Sequence, residues 1–144
     1  MSLESRLALS VFPGRYAICR LDAAAPLPSW AVQGRFFSVT RTPLELSVVC
    51  ETSAVPPDVQ TEADWRVLAV DGPLDFALTG IIAGLSAHLA AAAISVFVLS
   101  TYDTDYVLVR AAEITRAVAI LRDAGYPVSA DPDLTDPADS VPRR

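Results

Sequence analysis

From Trp65 to Val128 the chain reads as six short runs in the order strand, helix, strand, strand, helix, strand, and few architectures accept that order. Trp65-Arg66-Val67-Leu68-Ala69-Val70 is a strand-forming run stopped by Asp71-Gly72-Pro73, a strong turn signal. A helix is predicted from about Asp75 to Ala92, with Ile81, Leu85, Leu89 and Ala92 on one stripe and Asp75 placed to cap its first turn. Two strand runs follow, Ile94 to Thr101 and Tyr106 to Arg110, joined as a hairpin by Tyr102-Asp103-Thr104-Asp105. A second helix is expected from about Ala112 to Ala124, where Ile114, Ala117, Val118 and Leu121 repeat at helical spacing and Gly125 marks the stop. Tyr126-Pro127-Val128 then supplies a short last strand, confined to an edge because Pro127 lacks an amide donor.

This grammar predicts a complete βαββαβ sandwich of the ferredoxin-like kind, an α+β fold with both helices on one face of an antiparallel sheet. The other face needs a cover, either from this chain or from a partner. Pro56-Pro57 divides the sequence, and the part before it is strand-dominated: Leu7 to Val11, Tyr16 to Leu21, Phe36 to Thr40 and Leu46 to Glu51. Pro13-Gly14 reads as a tight turn, and residues 23–31 as a loop with room for one helical turn. Thr42-Pro43-Leu44-Glu45 has the spacing of a capping box with proline at the first helical position, which predicts a helix of a turn or two. The expected organisation is a reduced, strand-rich unit over 1–60, a complete unit over 61–130 and a mobile tail over 131–144, where prolines and aspartates dominate.

Composition narrows the function. Hydrophobic residues make up 52% of the 144-residue chain, enough for a sizeable core. The net charge is −6, and all eleven basic residues are scattered arginines, so no basic stripe exists to meet nucleic acid or an anionic membrane. Gly80 to Leu99 is nearly uncharged, but it changes from alanine-rich to β-branched at Ile94, which reads as a helix running into a buried strand rather than a membrane span. Met1 to Arg6 lack the layout of a secretory leader, and a cytoplasmic protein is expected. Cys19 and Cys50 sit in apolar runs; a disulfide or two buried thiols both fit. With a single histidine, His88, no zinc site of ordinary spacing can be written, and neither a metal nor another cofactor is expected.

Three strings carry a resemblance. Phe36 to Val49, Trp65 to Leu68 with Gly72 to Phe76, and above all Ile94 to Val109 resemble small bacterial tandem ACT-domain proteins, which are similar in turn to the CASTOR arginine sensors and to the regulatory part of aspartate kinases. The match spans roughly residues 7–128. It implies two ferredoxin-like, ACT-type units packed side by side, a homodimer, and amino acids bound at an interface between units or subunits.

An amino-acid site must satisfy a carboxylate, an ammonium and a side chain together. The turn through Gly72, Pro73 and Leu74, leading into the predicted helix, offers a place for the carboxylate among backbone N–H groups, and Gly72 permits close approach. Ser38, Val39 and Thr40 offer strand-edge backbone groups from the other unit. Asp103 and Asp105, two apart and near the hairpin tip beside Ser100 and Thr101, offer acceptors to the ammonium or to a cationic side chain. Each has a plainer reading, since Gly-Pro and Asp-Thr-Asp are ordinary turn chemistry. No catalytic residue is assigned: His88 lies mid-helix among alanines, and there is no nucleophile elbow, P-loop or dinucleotide fingerprint. The sequence thus predicts a ligand sensor without catalysis that binds a small amino acid or related metabolite and acts on a separate regulated protein. The rival reading is a protein–protein interaction or dimerisation module with no small ligand.

Overall fold

The computed structural model describes residues 7–75 and 78–129, which form two compact units, one of 14–65 and one of 7–13 with 66–129. Eight strands and two α-helices are present among them: β1 (Leu9–Val11), β2 (Tyr16–Leu21), β3 (Ser38–Arg41), β4 (Leu46–Glu51), β5 (Gln60–Val70), α1 (Ile81–Ala91), β6 (Phe97–Ser100), β7 (Asp105–Arg110), α2 (Ile114–Asp123) and β8 (Val128–Ser129). The long strand β5 gives its first half to one unit and its second half to the other.

In the C-terminal unit the strands lie in the order β6-β7-β5-β1-β8. The βαββαβ order holds, with one addition: β1 enters between the unit's first and last strands. It runs antiparallel to β5, with Leu9 opposite Val70, and parallel to β8, with Leu9 opposite Val128. The last strand lies at the edge, as a segment opened by Pro127 must. Both helical stripes are where their spacing predicts: Ile81, Leu85 and Leu89 on α1, and Ile114, Ala117, Val118 and Leu121 on α2, are buried in one core with Leu9, Leu68, Val70, Val107 and Val109. On β5 the alternate positions Val67 and Ala69 are buried as well, so this strand is enclosed on both faces.

Three local expectations are corrected. The first helix begins at Ile81 and not near Asp75, because Gly80, at φ 81°, sets the left-handed kink from which the helix starts. The first strand of the hairpin is limited to Phe97–Ser100; Ile94 instead donates its amide to Leu89 O and closes the end of α1. No helix follows Thr42. Its Oγ1 accepts the amides of Leu44 and Glu45, both at 3.1 Å, and its own amide donates to Glu45 O, so these four residues are the bend of the β3–β4 hairpin.

The N-terminal unit has the strand order β3-β4-β2-β5 and a core of Ala17, Cys19, Ala31, Leu46, Val48 and Cys50. Its helical content among the described residues is two 3₁₀ turns, Ser29–Val32 and Thr52–Ala54. The loop before β3 is held by Arg41, whose guanidinium donates to the carbonyls of Ala23 and Ala25. Among the described residues no helix is long and apolar enough to cross a membrane. The tail expected over 131–144 lies outside the described residues.

Candidate functional site

The C-terminal unit carries a cleft of about 190 Å³ where the segment after β5 meets the β6–β7 bend. Its walls are Leu74, Asp75, Leu78 and Ile81 on one side and residues 100–105 on the other. The volume lies below the ~300–1,000 Å³ of sites for drug-sized molecules and suits a smaller metabolite.

The bend is built by its own threonines. Thr101 donates its amide to Thr104 O at 2.8 Å, and Thr101 Oγ1 accepts the Thr104 amide at 3.3 Å. Thr104, itself buried, donates its hydroxyl to Val70 O at 2.6 Å, which ties the bend to the end of β5. The next residues of that segment touch the same bend: Leu74 donates its amide to Asp103 O at 2.7 Å. Gly72 is the pivot, for a Cβ there would stand 3.1 Å from Asp103 O, Leu74 N and Thr104 Cβ. A side chain at that position separates the two walls, which explains glycine in physical terms.

Of the ten residues the sequence singled out, five line this cleft: Leu74, Ser100, Thr101, Asp103 and Asp105. Gly72 and Pro73 belong to the turn that brings Leu74 there. Ser38, Val39 and Thr40 lie on β3, the outer strand of the N-terminal unit. The cleft also contains five residues that sequence reasoning passed over: Asp75, Leu78 and Ile81, assigned to a helix or its cap, and Tyr102 and Thr104, assigned only to the turn of the hairpin.

The chemistry of the cleft differs from the sequence expectation in one respect. The turn at Gly72 does not stand at a helix N-terminus, and its donors are committed to the fold: Leu74 N to Asp103 O, and Asp71 N to Ala8 O, with Ser10 Oγ donating to the Asp71 carboxylate at 2.7 Å. The helix start that does reach the cleft is that of α1, through Ile81. Asp75 lies on the same wall, Asp103 and Asp105 belong to the opposite one, and Asp105 accepts the Ser100 hydroxyl at 2.7 Å. The site thus joins an apolar wall, three acidic groups and the dipole-positive end of a helix.

His88 is a half-buried helix residue, its ring 6.0 Å edge-on from Tyr126. Among the described residues no three His, Cys, Asp or Glu side chains gather as a metal cluster requires. Cys19 and Cys50 are free, buried thiols, which decides between the two readings left open by the sequence. The neighbouring Cys50 thiol moves Cys19 down to about 7, while the neighbouring Cys19 and burial raise Cys50.

A βαββαβ unit whose post-strand turn packs on a hairpin bend is the architecture of an ACT domain, and the comparisons agree. The ACT domain model matches residues 60–123, and a separate N-terminal domain model matches residues 14–58. Residues 60–123 are thus those of an ACT domain. A crystal structure of a protein from Agobacterium tumefaciens is 36% identical with a TM-score of 0.83, over 87% of this chain and 93% of that one. The bovine protein named cytosolic arginine sensor for mTORC1 subunit 1 is 34% identical over 98 residues, which is 60% of this chain and 30% of the relative's length. The aspartate kinase of Clostridium acetobutylicum shares the fold at 13% identity and a TM-score of 0.59, over 83% of this chain and 34% of the kinase.

Proposed function

We propose that this chain is a regulatory protein that senses a small amino acid, a cationic one such as arginine, in the cleft between Leu74, Asp75, Leu78 and Ile81 and the bend of residues 100–105, without catalysing a reaction. The observation that carries the reading is the bond from Leu74 N to Asp103 O, which holds an apolar wall against an acidic one. The acidic wall suits an ammonium or guanidinium, and the bovine relative's name as an arginine sensor supports the choice. The first-turn amides of α1, which have no partner within the helix, suit the carboxylate in place of the Gly72 turn.

Ser38, Val39 and Thr40 enter this reading as groups that a second copy presents in a homodimer, because a strand at the edge of a sheet has backbone donors and acceptors to offer. Ligand binding then favours one arrangement of subunits and passes the signal to a separate protein.

A thermal-shift series over the twenty amino acids tests the proposal. A ligand at a hundredfold excess over its Kd stabilises by about 2.7 kcal/mol, so a cationic amino acid raises the midpoint by several degrees. Replacement of Asp103 and Asp105 by asparagine abolishes that rise and leaves the unliganded midpoint nearly in place. Indifference to all twenty at millimolar concentration overturns it. The second reading, an interaction module with no small ligand, is favoured by Tyr102, which stands 81% exposed at the tip of the bend, and by Leu44, 79% exposed on the β3–β4 hairpin.

A further inference from the structure

We propose that Cys19 and Cys50 form a two-sulfur site for a soft monovalent metal ion with a filled d shell, copper(I) or silver(I). The two residues sit on neighbouring antiparallel strands, Cys19 opposite Val48 and Cys50 opposite Ala17, so their side chains share one face in diagonal positions. Both belong to the same core and both are buried.

The register argues against the simpler chemistry of a disulfide. Diagonal neighbours stand about 7–8 Å apart at Cα, whereas a disulfide needs about 6.8 Å or less. A bridging ion removes that difficulty. With metal–sulfur bonds of about 2.3 Å, the two sulfurs of a linear site rest up to ~4.6 Å apart. Zinc is a poor fit, since it takes four ligands and no third metal-ligating side chain joins the pair among the described residues.

The surroundings suit such an ion. Ala17, Ala31, Leu46 and Val48 complete the core, and Thr61 Oγ1 stands 3.7 Å from Cys19 Sγ while donating to Val59 O at 2.9 Å. The 3₁₀ turn packed on this core, Ser29–Val32, has a single buried residue, Ala31, and no side-chain cap, so entry needs the displacement of one short turn. On binding, each thiol gives its proton to solvent and each sulfur gives an electron pair to the ion; nothing is oxidised. The product, two thiolates on one cation, carries a single net negative charge.

The test uses the full chain, reduced and kept anaerobic, titrated against copper(I) held by a chromophoric chelator. The expected result is withdrawal of one copper(I) per chain, weakened on the order of 100-fold or more in Cys19→Ala and in Cys50→Ala. No withdrawal, or equal withdrawal by the double variant, overturns the proposal. X-ray absorption on the copper-loaded native chain keeps it falsifiable if the variants fail to fold: two sulfur neighbours are expected, and nitrogen or oxygen neighbours overturn it. Spontaneous formation of an intramolecular disulfide in air with the fold intact also overturns it, because the sulfurs would then meet without a bridge.

Discussion

The two units solve the problem of covering a sheet in different ways. The C-terminal unit lays two helices on its strands and buries Leu85, Leu89 and Leu121 almost completely. The N-terminal unit has no α-helix among the described residues; alanines, valines, two cysteines and short turns fill its core. Large side chains from helices make a deep core whose stability follows from area removed from water, about 25 cal/mol per Å². Small side chains under 3₁₀ turns leave more of the work to hydrogen bonds that tie loops to strands, as Arg41 and Arg20 do at the carbonyls of Ala23, Ala25 and Leu44.

Truncation of one core residue in each unit is the most forceful way to break this comparison. Leu85→Ala is expected to cost about 2–5 kcal/mol, since a cavity remains where a whole isobutyl group was. Val48→Ala is expected to cost less, about 1.5–3 kcal/mol. Urea unfolding checks both, and a larger loss at Val48 would reverse the assignment of the deeper core.

A smaller effect sharpens the account of the cleft. Thr104→Val keeps the shape of the side chain but leaves the Val70 carbonyl without its hydroxyl donor, at a cost of about 1–3 kcal/mol. Because that bond ties the bend to β5, the variant is also expected to lose its response to amino acids before it loses its fold. Melting with and without ligand reads both at once.

The smallest effect concerns the ends of the two helices. After α2 the chain turns at Gly125 with φ 104°, which glycine adopts freely, but after α1 the same left-handed position is held by Ala93 at φ 60°. Ala93→Gly is expected to stabilise by up to about 1 kcal/mol, the strain of an L-residue there less the extra freedom glycine has when unfolded. Thermal melting of the variant measures it, and a lowered midpoint would show that this turn carries no strain.

Much of the fold was legible because helical period is a local property. The stripes Ile81-Leu85-Leu89 and Ile114-Ala117-Val118-Leu121 needed no long-range information. The Thr42 misreading has an equally local cause: a threonine that accepts amides two and three residues on looks the same in a helix cap and in a hairpin bend. The insertion of β1 between β5 and β8 was not legible, since a strand's choice of partner depends on residues far along the chain. In the cleft, the hairpin string pointed to Asp103 and Asp105, yet the loss of the Leu74 amide to Asp103 O follows from how the turn meets the bend. No spacing rule shows that. Nor does spacing reveal that Cys19 and Cys50 share one face of neighbouring strands, which depends on the register of β2 against β4.

The place of β1 has a consequence for how the molecule assembles. A strand made before the whole N-terminal unit is clasped between two others, and one of these is the last of the described strands to be synthesised. Until Val128 and Ser129 leave the ribosome, Leu9 and Ser10 lack their second neighbour, and the sheet lacks its edge strand. Such distant pairing raises contact order and slows the search for the native state. The nascent chain therefore completes its C-terminal unit only after β8 is made, when β1 gains its second neighbour.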